Sequence, residues 1–329
     1  MRKVTVIGAG PAGSAAAIEA CRLGASVRLI DPAAFPRHRV CGEYITPEAE
    51  PLLRKLGVWN EFQALAPHRC ERFSLHFPRA SKSGTLPQAG FGLSRYRLDH
   101  LLWSRAVELG AEPVRKNVGD EEATPKILAH GRKFRERPGH RMFGFKAHYD
   151  GPQTDSTELF FFDRSYVGVS CVEGGLTNVC GLGPEDRLHA YNFAPDEMLM
   201  RFPPLGERLQ PLRRMMDWMT TGPLLFQHRL DDSCEEGVFP AGDCLSFVDP
   251  FTGSGITSAL FSGISAAKSH VEDESIEIHL NRCRRALQGP FLVSSILRAA
   301  VLGGWAEAIL PLVPGYWLIK GTRPQTKIR

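Results

Sequence analysis

Lys3-Val4-Thr5-Val6-Ile7-Gly8-Ala9-Gly10-Pro11-Ala12-Gly13 is the stretch whose reading decides the fold. Lys3 to Ile7 is a short run rich in β-branched residues, the pattern of a buried parallel strand. Ser14 to Leu23 is Ala-rich and predicts a helix, closed by Gly24. Ser26 to Ile30 predicts a second strand, ending at Asp31. Between the first strand and the helix lies Gly-x-Gly-x-x-Gly, and each glycine has a task. Gly8 permits the tight turn, Gly10 lets a pyrophosphate approach the backbone, and Gly13 lets helix and sheet pack closely. The helix N-terminus offers free N–H groups to a diphosphate. Asp31 stands where a carboxylate can accept hydrogen bonds from ribose hydroxyls. A glycine-rich turn without a ligand is the plainer reading. Strand, turn, helix, second strand and acid in this order favour a dinucleotide.

A second, distant segment chooses among dinucleotides. Val238 to Ala241 predicts a short buried strand that ends in Gly242-Asp243. Asp249-Pro250-Phe251-Thr252-Gly253-Ser254-Gly255-Ile256 then opens a helix, read as Thr257 to His270. An Asp on a strand end can hold a ribityl hydroxyl, and a helix N-terminus can stabilise negative charge on a reduced flavin. An NAD site has no need of this segment, so the expected cofactor is FAD.

Further stretches lie between: Phe35-Pro36-Arg37, Val40-Cys41-Gly42-Glu43, Arg95-Tyr96-Arg97-Leu98-Asp99 and Ala129-His130-Gly131-Arg132. Together with the two segments above, in this order, they resemble the FAD-dependent proteins of the p-hydroxybenzoate hydroxylase fold. The branch they are most similar to is that of the geranylgeranyl reductases and flavin-dependent halogenases. That resemblance implies that Ala12 and Gly13 lie against the diphosphate and Asp31 on the adenosine ribose. It implies Arg39, Cys41 and Gly42 beside the flavin, Arg95 reaching FAD from its helix, and Asp243 on the ribityl chain or diphosphate. Gly253 and Gly255, with Pro250 and Ile256 around them, would line the ring. Cys41 is a weak candidate for a catalytic thiol; a buried small apolar side chain is the plainer reading.

The pattern departs from that branch in three places. His130 stands where an Asp is usual and is read as a turn residue beside the cleft rather than an acid–base group. The interval from Gly110 to Ile127 is short, as if strands were missing. The halogenase W-x-W-x-I-P signature is absent, the five tryptophans being isolated. In its place runs an aromatic stripe, Phe160 to Gly168, which either lines a pocket or packs a sheet.

Composition sets the outer limits. Of 329 residues, 43% are hydrophobic and 23% charged, with net charge +4, ordinary for a globular protein. Basic residues occur only in short runs such as Arg284-Arg285, so no nucleic-acid partner is expected. Eight cysteines without C-x-x-C spacing point to no metal site and to reduced thiols in the cytoplasm. The glycines after Met1-Arg2-Lys3 break any signal-peptide core. Ala299 to Ile319 is the longest apolar tract, interrupted by Gly, Glu and Pro, and reads as packed helices. For the apolar tail from Phe291 to Ile319, contact with a membrane surface is the alternative to core packing.

The expected fold is α/β: a discontinuous FAD-binding domain with a mainly parallel sheet (1–67, 92–140 and 222–288), an antiparallel-sheet substrate domain (68–91 and 141–221), and a helical segment over 289–329. The expected activity is an FAD-dependent oxidoreductase acting on a hydrophobic or aromatic small molecule, reductase-like, with NAD(P)H or another reductant as donor. A monooxygenase is the alternative, and a flavin-binding protein of little activity is a third reading.

Overall fold

The computed structural model describes residues 2–117, 126–131, 141–192, 194–224, 227–228, 237–247, 250–309, 312–314 and 319–326. The Lys3–Ile7 strand is the centre of a parallel sheet ordered Val238–Pro240, Lys126–Leu128, Lys3–Ile7, Ser26–Ile30, Glu112–Val114. Val4, Val6 and Ile7 are buried, as a strand covered on both faces requires. The Pro11–Arg22 helix is buried over its first ten residues. It is pressed against the Gly255–Val271 helix, where a Cβ on Gly263 would stand 2.1 Å from the Ala12 carbonyl oxygen. Only glycine allows two backbones to pass so closely.

The second sheet joins eight strands in the order Arg213–Arg214, Met142–Asp150, Leu176–Pro184, Ser165–Cys171, Ser156–Phe162, His68–His76, Ser81–Gly92, Tyr44–Ile45. Met219–Leu224 also pairs with Met142–Asp150. All pairings are antiparallel except His68–His76 with Ser156–Phe162. Turns at Asp150-Gly151 and Glu173-Gly174-Gly175 separate these strands, with all three glycines at positive φ.

The elements differ from the sequence reading in definite ways. Ser81–Gly92 is a twelve-residue strand with no regular apolar alternation, made a strand by pairing with His68–His76 around a bulge. Glu112–Val114 supplies an edge strand within the short interval after Gly110, and its Pro113 suits an edge. Residues 118–125 of that interval, like Arg132 and Asp249, lie outside the described residues. The helix of Leu98 to Glu108 begins as early as Arg95, because Ser94 caps it and accepts from the Arg97 N–H at 3.2 Å. One helix, Ile276–Leu302, runs through Gly289, where a separate tail was expected to begin. No described helix is long and apolar enough to cross a membrane.

Candidate cofactor and substrate site

The glycine turn is built as its spacing predicts. Gly8 has φ +96°, and a Cβ there would meet the Ala129 carbonyl oxygen at 2.4 Å. A Cβ on Gly13 would stand 1.7 Å from the Gly8 carbonyl oxygen. Gly13 therefore packs helix to turn; it is not among the cavity-lining residues, unlike its neighbour Ala12. At Gly10 the space for a side chain is open, with the Arg95 guanidinium 3.6 Å away. A cradle closed by backbone at Gly8 and Gly13 and open at Gly10 fits a pyrophosphate.

Asp31 ends its strand with every acceptor position engaged. Its carboxylate accepts from the backbone N–H groups of Ala9 (2.8 Å) and Ala33 (3.0 Å) and from both terminal nitrogens of Arg37. Burial opposes its charge, yet Arg37 and the two N–H groups outweigh burial and hold the carboxyl below its usual range. Arg37 lies over the Phe35 ring at 4.4 Å, and Phe35 stacks on Trp103. A ribose hydroxyl arriving at Asp31 must therefore share or displace Arg37, since an ionised carboxylate offers about four acceptor sites.

Arg95 opens its helix opposite that turn. Its guanidinium is bidentate on the fully buried Asp99, at 2.6 and 2.7 Å. Burial disfavours the charge, but Asp99 and Cys41 more than offset it, and Arg95 is held firmly cationic.

The segment Arg39 to Glu43 forms the middle of the wall. Glu43 has φ +55° and is fully buried. It accepts from the Arg95 backbone N–H (2.7 Å), bonds His148 Nε2 (2.6 Å) and pairs with the ammonium of Lys146, which is also fully buried. Lys146 further donates to the Arg39 carbonyl at 3.2 Å, and Asn178 donates to the Cys41 carbonyl at 3.0 Å. Lys146 and His148 share one face of the Met142–Asp150 strand, with Cys180 and Asn178 opposite them on Leu176–Pro184. The wall segment is thus stapled to the second sheet by a buried Glu–Lys–His cluster. Burial opposes ionisation of Glu43, but Lys146 and His148 overcome it and lower its pKa. Donor atoms of His38, Glu43 and His148 lie within 4.8 Å of one another, close enough to hold a metal. The Lys146 ammonium already sits on that carboxylate, and a divalent cation would meet its charge.

The sequence motifs include Glu43 without a role for it, and neither Lys146 nor His148 belongs to any of them. The available signal was Phe143-Gly144-Phe145-Lys146-Ala147-His148, in which polar residues alternate on one face of a strand that is otherwise apolar.

The distant segment closes the opposite wall. Gly242 has φ +61°, and a Cβ there would press on Ala12 at 2.8 Å. Gly253 has φ +69° and lies under the Tyr44 ring. Gly255 starts its helix with no atom near the position of a Cβ. Asp243, Pro250, Gly253, Gly255 and Ile256 all line the same cavity as Gly8, Gly10, Ala12, Asp31, Arg39, Cys41, Gly42 and Arg95. His130 lines it too.

That cavity measures about 550 Å³ and changes character along its length. The glycines and charged groups hold one end. Leu75, Leu159, Phe161, Leu182, Leu224 and Leu297 wall the other. The aromatic stripe serves both purposes expected of it. Phe161 faces the cavity, while Phe160 and Phe162 point the other way and pack on Phe202. Cys41 is half-buried, and Cys234 lies outside the described residues.

A parallel sheet with a glycine turn, joined to a second sheet that roofs the same cavity, is the fold of the p-hydroxybenzoate hydroxylase type. Residues 1–125 match the family described as FAD binding domain, which supports FAD as the cofactor. The menaquinone reductase of Mycobacterium tuberculosis is 38% identical over 115 residues, which are 33% of this chain and 27% of that protein. The chain thus matches about a quarter of the length of that relative. A 1H-pyrrole-2-carbonyl-(peptidyl-carrier protein) brominase of Pseudoalteromonas luteoviolacea is 25% identical over 318 residues, covering 80% of this chain and 76% of that one. Among solved structures, the flavin-dependent brominase Bmp2 superposes with a TM-score of 0.80 at 19% identity, over 97% of this chain and 93% of its own. A geranylgeranyl bacteriochlorophyll reductase-like protein of Thermoplasma acidophilum gives 0.67 at 18% identity, over 97% and 90%. At these identities the superpositions establish the fold.

Proposed function

We propose that this chain is an FAD-dependent oxidoreductase that reduces a hydrophobic or aromatic small molecule. The observation that carries this reading is continuity: one cavity joins the dinucleotide turn to a pocket walled by Leu and Phe. Bound FAD supplies the redox chemistry. The chain's residues bind, orient and shield. The Gly10 turn and the Pro11–Arg22 N-terminus receive the diphosphate, with Arg95 as a fixed positive charge beside it. Asp31 faces the adenosine end, and Arg39, Cys41 and Gly42 line the ring. Asp243 would take the ribityl or diphosphate oxygens, and the N-terminus of Gly255–Val271, which lines the same cavity, would favour negative charge on the reduced flavin. The apolar end excludes water and selects the substrate by shape. In domain terms, 1–67, 92–140 and 222–288 bind the cofactor while 68–91 and 141–221 roof it.

The test is to load the protein with FAD, reduce it without oxygen, and mix it with an isoprenoid quinone or a prenylated substrate. Saturable reoxidation of the flavin by such a molecule supports the reading; a chain that retains no flavin after FAD addition defeats it. A nicotinamide donor is read by the same spectra. Cys41→Ser with unchanged turnover would remove any role for that thiol. A second reading, a monooxygenase, is favoured by the similarity to the brominase along 80% of the chain. It requires the reduced protein to react with oxygen faster when an electron-rich aromatic substrate is present.

A further inference from the structure

The Ile276–Leu302 helix is apolar on two opposite faces over its second half. Inward, Leu297, Ala300 and Val301 pack on the cluster of Phe161, Tyr166, Leu182 and Phe247, and Leu297 reaches the cavity itself. Outward, the stripe begins with Asn281, Arg285 and Gln288, beside a single exposed Ile278. Past Gly289-Pro290 it turns into Leu292, Ile296, Ala299 and Gly303, all exposed. Leu292 and Ile296 are each 60% exposed.

The chain then carries the same surface onward. Trp305 is 67% exposed, and its indole lies 3.5 Å from where a Cβ on Gly303 would stand, so it continues the stripe. Ile309 and Leu312 follow, the latter 81% exposed. Of nine exposed large apolar side chains among the described residues, five lie between Leu292 and Leu312. A helix apolar all round is normally buried, so the outer face calls for a partner.

We propose that this face docks on an anionic lipid bilayer, lying in the interface without crossing it, and presents the apolar end of the cavity to the membrane. Charge selects the lipid surface over a second copy. From Arg284 to Gln325 the basic residues outside the cavity lining are Arg284, Arg285, Arg298 and Lys320, against one acid, Glu307, while Arg323 turns inward beside Glu48. Two copies meeting through the same patch would oppose like charges, whereas anionic headgroups complement them. An exposed Trp beside a Leu–Ile stripe suits the headgroup boundary. Continuity with the cavity supplies the purpose, and in that clause the inference rests on the proposed hydrophobic substrate.

The test is sedimentation of the FAD-loaded full chain with vesicles of equimolar phosphatidylcholine and phosphatidylglycerol, with phosphatidylcholine vesicles as control. Binding to the mixed vesicles that weakens in high salt is expected. In the double variant Leu292→Glu/Ile296→Glu, binding falls about tenfold or more, because two inserted side chains are lost. Both positions are exposed, so flavin content and thermal midpoint should stay as in the parent, which separates lost docking from lost fold. Equal, salt-independent sedimentation with and without phosphatidylglycerol would overturn the charge argument. No sedimentation with either vesicle, or a dimer abolished by Ile296→Glu, would overturn the proposal. No substrate is present in this experiment, so its failure leaves the flavin reading standing, and loss of flavin binding leaves the docking result interpretable.

Discussion

Lys146→Met isolates the buried cluster beneath the wall segment. Methionine keeps most of the apolar stem, so the change removes the ammonium while leaving little void. Lys146 and Glu43 are both fully buried, and no solvent screens the pair. Removing one partner of such a pair costs about 3–5 kcal/mol, because the other charge is left uncompensated. Glu43 would keep only the Arg95 N–H and His148. Against a total stability of about 5–15 kcal/mol, that is a large fraction. The assay is urea unfolding of the FAD-free and FAD-loaded protein, repeated for Glu43→Gln and for the double variant. The double variant should be milder than the sum of the singles, with a coupling of about 2 kcal/mol or more. The acid limb should change too. The Glu43 pKa is lowered in the folded state, so its contribution is present above its ordinary pKa and lost as pH falls through the folded value. Without Lys146 that folded value rises, and the loss begins at higher pH. A Lys146→Met protein within about 0.5 kcal/mol of the parent, with additive double-variant energies, would refute the cluster as a clamp.

Three other outcomes follow from the geometry. Gly13→Ala places a methyl 1.7 Å from the Gly8 carbonyl and should cost about 3 kcal/mol together with most of the bound FAD, read by flavin absorbance after gel filtration. Arg95→Met strips the cation from beside the Gly10 turn and strands the buried Asp99; FAD affinity should fall about tenfold or more by fluorescence titration. His279 is buried between the Pro240 carbonyl and Ser265, and burial above all pushes its pKa from 6.5 down to about 4. The unfolded chain therefore binds a proton at pH values where the folded one does not, and stability should fall by about 3 kcal/mol as pH drops through that window. His279→Gln should flatten that slope in pH-dependent thermal melts.

Features encoded within a few residues are legible in the sequence. The Gly8–Gly13 turn, the strand ending at Asp31 and the helix opened by Gly255 depend on local φ requirements and on apolar spacing. Helix starts and irregular strands are less legible. Ser94 moves the Arg95 helix three residues earlier than its apolar period does, and Ser81–Gly92 is a strand only because His68–His76 holds it. The role of Asp31 is only partly legible, since Arg37 becomes its partner when the loop folds back.

By itself the sequence determined that a βαβ unit opens the chain, that glycine is required at Gly8 and Gly13, and that a second glycine-rich turn starts the helix at Gly255. Each of these rests on backbone sterics within one turn, which distant residues do not alter. Tertiary structure alone decided that Glu43 meets Lys146, 103 residues away, and that Arg95 stands over Gly10. It also decided that the apolar tail, readable as core, keeps Leu292, Ile296 and Trp305 outside. Local periodicity specifies which face of an element is apolar or charged, but the partner of that face is chosen by packing over long chain separations, where many pairings share one pattern.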